Sequence, residues 1–379
     1  MTDVSSLSVM SDWIGTHSGV SAILAGLDMT MPGDIAYDSG TSFYGANLTT
    51  AVLNGTVPQW RLDDMAVRIM AGYYYVDRNT TRIPINFSSQ TKDTYGFEHF
   101  FGGDGAWEVV NEHVDVRGDH ARLIRDIGAK SVVLLKNVNN TLPLTGREKL
   151  TAVIGGDAGP NPEGPNSCSD RGCDNGTLAQ GWGSGSVEYP YLITPDTAVQ
   201  YEVLSKGGAY ESIFDNYANA SITNLARRAN VTLAFVNSDA GEWYIEVGGN
   251  YGDRNNLTFW GGADQMLENV LGECNNVVIV IHSVGPVLLE QYKNHPNVTA
   301  MVWAGLPGEQ SGNSIADVLY GRVNPGAKLP FSIAKAREDF GTDVLYTPND
   351  LVPQTNFKEG VFIDYRALDK MNTSGKKRS

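Results

Sequence analysis

The feature that most constrains the fold is a regular alternation, from about residue 118 onward, of short apolar runs with helix-length amphipathic stretches. The apolar runs are rich in β-branched residues: Ser131–Leu135, Thr151–Ile154, Val231–Val236, Val277–Ile281 and Val298–Trp303. The stretches with helical spacing are Asp119–Lys130, Tyr210–Ala229, Ala263–Cys274 and Glu309–Tyr320. Buried strands that alternate with helices predict an α/β domain, in which helices cover both faces of a mainly parallel sheet.

The first quarter of the chain has a different pattern. Apolar residues recur at helical spacing in two places, at Val20, Ile23, Leu24 and Leu27 and again at Met65, Ile69, Met70 and Tyr73. These two segments predict helices joined by loops. From about residue 77 to 117 the periodicity disappears and glycines, aspartates and aromatic residues accumulate. This composition favours an interdomain linker.

Charge and cysteine content exclude several classes of protein. The chain has 28 Lys and Arg against 43 Asp and Glu, a net charge of −15. Such a chain repels phosphate backbones and anionic lipid, so we expect no nucleic-acid and no membrane partner. Among the three cysteines, Cys168 and Cys173 are close enough to form a small disulfide loop, with a zinc site as the alternative. Cys274 is expected to be a buried thiol.

The number of glycosylation motifs is high for a chain of 379 residues. Several such motifs in one chain indicate a secreted glycoprotein. The first residues contain neither a basic segment nor an apolar one, so they do not form a signal peptide, and we expect further sequence upstream. The eleven Asn-x-Ser/Thr motifs begin at Asn47, Asn54, Asn79, Asn86, Asn139, Asn175, Asn219, Asn230, Asn256, Asn297 and Asn372.

Two carboxylates next to aromatic residues are candidates for chemistry. Asp12 precedes Trp13, and Glu242 follows the predicted strand Val231–Val236 and precedes Trp243. Sugar sites combine aromatic platforms with carboxylates, and glycoside cleavage requires two carboxyl groups. The alternatives are a helix N-cap for Asp12 and a solvated loop residue for Glu242. The glycines at 155–159 lack the full dinucleotide-binding pattern, and no Gly-x-Ser-x-Gly motif suggests a serine hydrolase.

These candidates lie within motifs that resemble glycoside hydrolase family 3, in particular its fungal secreted β-glucosidases. The resemblance begins with Val9–Trp13 and Ala25–Asp34. It continues through Lys130–Asn137, Cys168–Thr177, Gly181–Tyr191, Val236–Arg254, the segment from Trp303 to Pro330, and Phe357–Arg366. It covers residues 9 to 369 in order.

The resemblance implies a retaining, two-step hydrolysis of terminal β-glucosyl residues from cellobiose and other β-glucosides. Asp12 would be the nucleophile, and Glu242, in Asp-Ala-Gly-Glu, the acid/base. Trp13 would pack against the glucose, and Ser184 would lie on a loop that reaches the sugar. In retaining enzymes the two carboxyl groups lie about 5–5.5 Å apart. Since 230 positions separate Asp12 from Glu242, the site is expected to form between two domains.

The family pattern also predicts how the chain divides. Residues 1–75 would be the end of a (β/α)8-type barrel, 76–117 a linker, 118–350 an α/β sandwich, and 351–379 a linker towards a fibronectin-like domain that this chain lacks. The barrel residues that hold the glucose hydroxyls have no counterpart here, so the chain is expected to be a truncated form, and the resemblance leaves open whether this form is active or inactive. Trp243 occupies a position that is usually glycine.

The mechanism implies no metal and no cofactor, since carboxylates and water suffice. The expected partner is a small β-glucoside or cello-oligosaccharide, and the expected location is extracellular. Two rival hypotheses are a non-catalytic carbohydrate- or partner-binding protein and a β-xylosidase.

Overall fold

The computed structural model describes residues 7–36, 39–81, 91–99, 103–168, 173–183, 185–242, 246–247, 249–252, 254–345, 347–351 and 354–373. The chain forms two compact units, Met1–Val116 and Arg117–Ser379. Each unit has its own core and is described by itself.

The first unit contains three helices and two small sheets in its described part. The parallel pair β1 (Met10–Trp13) and β2 (Met29–Met31) is accompanied by helices α1 (Val20–Leu24), α2 (Ala46–Leu53) and α3 (Gln59–Tyr75). Its apolar core is small, consisting of Ile23, Tyr44, Ala51, Val57 and Met65. Helix α3 contains the second periodic segment that predicted a helix. It nevertheless leaves several large side chains exposed, among them Trp60, Val67, Tyr74 and Tyr75. The origin of this unit as part of a barrel stays a prediction.

The segment expected to be a linker contains regular structure. Strands β3 (Tyr95–His99) and β4 (Asp104–Val109) form an antiparallel hairpin. Phe97 and Trp107 pair across it, with ring centroids 5.0 Å apart and ring planes nearly perpendicular. Such aromatic pairs stabilise a hairpin through side-chain contact rather than through burial of one face. Glycines and acidic residues interrupt both short strands, and every residue of β4 is exposed, which explains why the sequence pattern predicted a linker instead.

The second unit is built on a mixed six-stranded sheet in the order β5-β12-β11-β8-β6-β7. All neighbouring pairs are parallel except β5 with β12. The strands of this unit are β5 (Val133–Asn137), β6 (Thr151–Ile154), β7 (Tyr210–Ile213), β8 (Val231–Ser238), the short pair β9 (Glu246–Val247) and β10 (Asn250–Tyr251), β11 (Val277–Ser283) and β12 (Val298–Trp303).

Helices cover both faces of this sheet. On one face α4, α5 and α9 pack with side chains such as Leu233 and Phe235. On the other face α6 and α7 pack with Ala234 and Val236. Alternate residues of β8 point to opposite cores, and every residue of β8 and β11 is buried. The helices are α4 (His120–Ser131), α5 (Pro195–Ser205), α6 (Asn219–Arg228), α7 (Ala263–Leu271), α8 (Glu290–Lys293), α9 (Ser311–Leu319) and α10 (Asp364–Thr373).

The predicted α/β class with a mainly parallel sheet is confirmed. One element was wrong: Tyr210–Ala229 was predicted as a single helix, but it begins with strand β7 and only α6 is helical. Strand β7 lies at the edge of the sheet and pairs with β6 alone, so its residues are only partly buried. The edge position weakens the apolar signal of the strand, and the helical pattern that follows conceals it.

The difference between the two cores leads to a prediction for limited proteolysis of the whole chain. The second unit buries two large apolar clusters, whereas the described part of the first unit buries one cluster of five residues. Because local opening becomes easier as fewer apolar contacts are lost, we expect trypsin to cleave in α3 well before it cleaves in α4 to α9. Mass spectrometry of the early fragments measures this order. Equal resistance of the two units would contradict the assignment of stability to the second.

Candidate active site

Asp12 lies on β1, one residue before the end of the strand, and its side chain is exposed. The predicted alternative of a helix N-cap is therefore wrong. The pairing of β1 with β2 is irregular between Met10 and Trp13, and the Ser11 hydroxyl accepts a hydrogen bond from the Met31 N–H at 2.9 Å. Such a bulge changes the direction of the side chains that follow it. The Asp12 Oδ1 accepts from the Trp13 N–H at 2.6 Å.

A buried ion pair holds β1 in this position. The Asp28 carboxylate accepts from the Val9 N–H at 2.8 Å, and its other oxygen lies 2.8 Å from the Arg61 guanidinium. Arg61 also donates to the carbonyl oxygens of Ile23 and Leu27. Both charged side chains are almost completely buried, so the pair is screened little by water. Asp28 thereby fixes the strand register that presents Asp12.

Tyr44 adds a neutral donor to the same cluster. Its hydroxyl donates to the Leu27 carbonyl at 2.9 Å. Burial raises the pKa of Tyr44 to about 12, with Asp28 adding to the shift and Arg61 opposing it. The phenol therefore stays protonated and continues to donate throughout the neutral pH range.

Glu242 belongs to the loop that follows β8, and residues 239–242 are called here the Glu242 loop. The Glu242 side chain is exposed, whereas Asp239 at the start of the loop is 3% exposed. Asp239 Oδ1 accepts from the Ala240 N–H at 2.8 Å, which restrains the first peptide unit of the loop. Arg254 holds the last strand residue, because its Nη1 donates to the Ser238 hydroxyl at 3.1 Å and to the Pro286 carbonyl at 2.9 Å.

Two further carboxylates lie against the ends of the central strands, Asp157 beside His282 of β11 and Asp174 beside Asn237 of β8. Asp157 Oδ2 lies 2.6 Å from His282 Nδ1, and its Oδ1 accepts from the Leu178 N–H at 2.8 Å. Asp174 accepts from the Asn237 amide at 2.7 Å. Burial is the main cause that raises the pKa of Asp157, and it raises the pKa values of Asp174 and Asp239 to about 7. The cluster therefore carries less negative charge at neutral pH than its composition suggests.

A cleft of about 220 Å³ opens at this edge of the sheet. The strand order reverses between β6 and β8, which is where open α/β sheets place ligand crevices. Asp157, Asp174 and Asn237 line the cleft, but they are occupied by the hydrogen bonds described above, and Glu242 is not among the lining residues. Among the described residues, no group of His, Cys, Asp or Glu is arranged to hold a metal ion.

The other predicted site residues are distributed as follows. Trp13 follows Asp12 and is 53% exposed, so its indole is free to act as a platform. Ser184 and Trp243 lie outside the described residues. The loop between Cys168 and Cys173 is closed by the predicted disulfide, and Cys274 is a buried free thiol.

The glycosylation motifs lie mainly on the surface. Asn86 lies outside the described residues, as does the side chain of Asn372. Of the remaining nine, all are exposed except Asn297, which is half-buried and donates from its amide nitrogen to the Leu271 carbonyl at 2.8 Å. A glycan at Asn297 would have to compete with that hydrogen bond. Within the described part of the chain, no helix has the length and apolar character needed to cross a membrane.

Comparison with known proteins decides the family. The profile of the glycosyl hydrolase family 3 C-terminal domain matches residues 132–365, which include the whole six-stranded sheet. The chain belongs to glycoside hydrolase family 3. The α/β unit with the Glu242 loop is thus the family 3 C-terminal domain.

Similar proteins extend this relation to almost the whole chain. The chain is 60% identical over 366 residues to the probable β-glucosidase A of Aspergillus terreus and to β-glucosidase 1 of Aspergillus aculeatus. The solved structure of the Chaetomium thermophilum β-glucosidase matches with a TM-score of 0.88 at 56% identity, over 97% of this chain and 44% of that one. The Aspergillus matches cover 96% of this chain, which spans only 42% of the length of those relatives.

Several residues that shape the site were not singled out from the sequence. Asp28 and Arg61 were missed because their pairing joins segments 33 positions apart, and no local pattern indicates it. His282 was not singled out because it directly follows the apolar run Val277–Ile281 and lies in the same buried strand. Trp182 entered the sequence analysis only within Gly181–Tyr191, one of the segments that carry the family resemblance. The available signal for a close contact was the single glycine on each side of this tryptophan, since glycine permits close approach of a neighbouring chain.

The Arg61–Asp28 pair predicts a large effect of removing one charge. We expect Arg61→Met to destabilise the first unit by about 3–5 kcal/mol, because it leaves Asp28 buried without a partner. The control is Arg68→Met, which removes a partly exposed i,i+4 partner of Asp64 and is expected to cost at most about 1 kcal/mol. Hydrogen exchange at the Val9 amide reports the difference. Equal effects of the two variants would contradict the organising role of Asp28 and Arg61.

The raised pKa of Asp239 predicts a pH dependence of stability. The folded state holds this proton more tightly than the unfolded state, where the pKa is near 3.8, so its contribution falls as pH rises from about 4 to 7. Asp239→Asn retains an oxygen acceptor for the Ala240 N–H but cannot ionise. We compare the free energy of unfolding of this variant with that of the unmodified chain at each pH. We expect the variant's gain in stability to be larger at pH 8 than at pH 4 by roughly 1–3 kcal/mol.

Thermal unfolding at both pH values measures this effect. The matched control is Glu268→Gln, which removes the same charge from an exposed position on α7. A change in the Asp239 variant no larger than in the control would show that the buried carboxyl does not titrate in this interval.

Proposed function

We propose that this chain carries the two catalytic carboxylates of a retaining β-glucosidase, with Asp12 as the nucleophile and Glu242 as the acid/base. The observation that supports it most is their placement: Asp12 near the carboxyl end of a parallel strand, and Glu242 on the loop after one. Both are exposed, and each follows a segment held by buried polar contacts. The 60% identity to proteins named β-glucosidases over 96% of the chain supports the choice of substrate.

In the first step, an Asp12 carboxylate oxygen attacks the anomeric carbon of a terminal β-glucosyl residue. The bond from that carbon to the glycosidic oxygen breaks, and Glu242 gives its proton to the departing oxygen. The products are the free alcohol, a glucosyl ester on Asp12 and an ionised Glu242. This step requires that Asp12 is ionised beforehand and that Glu242 is protonated.

In the second step, the Glu242 carboxylate accepts a proton from water while the water oxygen attacks the same anomeric carbon. The ester bond to Asp12 breaks, and glucose leaves with its original β configuration. Glu242 ends protonated and Asp12 ionised, so both groups return to their starting states. No metal and no cofactor takes part in either step.

Trp13 is proposed to bind the apolar face of the glucose ring, because a sugar face and an exposed indole exclude water from each other. We propose Ser184 as a hydrogen-bonding contact to the same sugar. The substrates are then cellobiose, other small β-glucosides and short cello-oligosaccharides. We propose an extracellular location, which the many glycosylation motifs and the disulfide support.

A second candidate function follows from the length of the match. The chain spans 42% of the Aspergillus relatives, so the complete site of those proteins need not be present here. A non-catalytic carbohydrate-binding role is therefore the alternative. It predicts that glucose or gluconolactone binds without turnover of any glycoside.

Hydrolysis of aryl β-glucosides by the purified chain tests the proposal. We expect turnover, and a loss of at least about a thousandfold in Asp12→Asn, because the amide cannot form the ester intermediate. Glu242→Ala is expected to keep activity on 2,4-dinitrophenyl β-glucoside, whose leaving group needs no proton, and to be accelerated by azide, whose attack needs no general base. An aryl β-xyloside serves as the specificity control.

Two results would contradict the proposal. Binding of gluconolactone without turnover would favour the carbohydrate-binding function. Faster hydrolysis of the β-xyloside than of the β-glucoside would overturn the substrate class while leaving the carboxylate roles intact.

A further inference from the structure

The Glu242 loop is packed along its whole length against one short segment, Gly181 to Gly183, called here the Gly-Trp-Gly segment. The two segments lie side by side, residue against residue. A Cβ placed on Gly181 would lie 3.3 Å from the Ala240 carbonyl oxygen and from the Asp239 Oδ1. At the other end, Trp182 and Gly183 meet the last two residues of the loop.

The closest contact is between the Trp182 indole and Gly241. A Cβ on Gly241 would lie 2.1 Å from Cδ1 and from Nε1 of Trp182, which no side chain tolerates. The indole therefore lies directly against the backbone of the loop. Its Nε1 also donates to the Glu242 carbonyl oxygen, at the long distance of 3.4 Å. Trp182 is 5% exposed and so is fixed in place by its surroundings.

Gly183 limits the Glu242 side chain itself. A Cβ there would lie 2.9 Å from Cγ and 3.1 Å from Cδ of Glu242, and the residue has a φ of +117°, which favours glycine. The carboxyl-bearing side chain thus runs over Gly183, in the space that a side chain at this position would occupy. The backbone of Glu242 is held by Trp182 and its side chain is bounded by Gly183.

Trp260 packs against Trp182 and provides a comparison for it. The two indoles lie 5.5 Å apart between centroids and are buried to a similar degree. Among the described residues, the Trp260 Nε1 has no hydrogen-bond partner, and its backbone N–H donates to the Asn237 carbonyl. An indole that served only to fill the core would behave as Trp260 does. Trp182 differs because it contacts the loop that bears Glu242.

We infer that Trp182 is a positioning residue for the acid/base: it holds Gly241 and the Glu242 carbonyl so that the carboxyl group is aimed at the leaving oxygen. This inference rests on the proposed role of Glu242. A misdirected acid fails to protonate the leaving group while nucleophilic attack continues, so the loss depends on how much the leaving group needs a proton. A loss of overall stability has no such dependence.

The test compares Trp182→Phe with Trp260→Phe in the full chain, using β-glucosides whose aglycones have high and low pKa values. For a phenol of high pKa we expect kcat/KM to fall about 10–100-fold in Trp182→Phe, since positioned general acids contribute factors of this size or larger. For 2,4-dinitrophenyl β-glucoside the fall should be less than about threefold. Trp260→Phe should change both substrates by the same factor.

A second measurement does not depend on turnover. Hydrogen exchange at the Ala240 and Gly241 amides is expected to accelerate about tenfold in Trp182→Phe and to stay unchanged in Trp260→Phe, because only the first variant releases the loop. Gly241→Ala should accelerate exchange as Trp182→Phe does, because the new Cβ displaces the indole.

The outcomes separate the inference from the proposed function. If the chain turns over no glucoside, the proposed function fails, and the exchange pattern alone decides whether Trp182 holds the loop. If exchange changes equally in Trp182→Phe and Trp260→Phe, or if Trp182→Phe slows both glucosides alike, the positioning role is overturned.

Discussion

Burial of a parallel strand on both faces is the constraint on which the second unit depends. Strands β8 and β11 have no exposed residue, so polar chemistry is confined to their ends. The end of β8 bears Asn237, Ser238 and Asp239 in succession, and β11 ends near His282. Asn237, Ser238 and His282 are each bonded to a residue of another segment, and the loop that continues to Glu242 starts from this fixed base. The buried apolar strands thus fix the start of the loop that carries the exposed carboxylate of Glu242.

The first unit also holds an exposed carboxylate, Asp12, in place, but it buries far fewer apolar side chains. Its core is a single small cluster, and the ion pair between Asp28 and Arg61 connects β1, α1 and α3 through hydrogen bonds to backbone groups. Loss of either partner of such a pair is strongly destabilising, because the other charge is left buried without compensation. In both units an exposed carboxylate is held by buried polar contacts a few residues before it: Asp28 with Val9 ahead of Asp12, and Arg254 with Ser238 ahead of Glu242.

The sequence predicted most of the fold because β-branched runs and amphipathic helices are local signals. It failed where tertiary context decides, as at β7, where an edge strand has only half its surface buried, and at the hairpin of Phe97 and Trp107. For the site, motif resemblance gave Asp12 and Glu242 but none of their supports. Trp182 lies 60 positions from Glu242, and only the folded chain shows that its indole occupies the space a side chain on Gly241 would need. Contacts between residues that are this far apart along the chain leave no periodic pattern in the sequence.

The central claim is that Asp12 forms a covalent bond to the sugar. The most direct measurement is incubation of the intact chain with 2-deoxy-2-fluoro-β-glucosyl fluoride, followed by peptide mapping. Fluoride leaves without protonation, and the fluorine at C2 slows hydrolysis of the ester, so the intermediate accumulates even where Glu242 is imperfectly placed. The account predicts one fluoroglucosyl group per chain, on the peptide that contains Asp12. An unlabelled chain, or a label on another carboxylate, would contradict it.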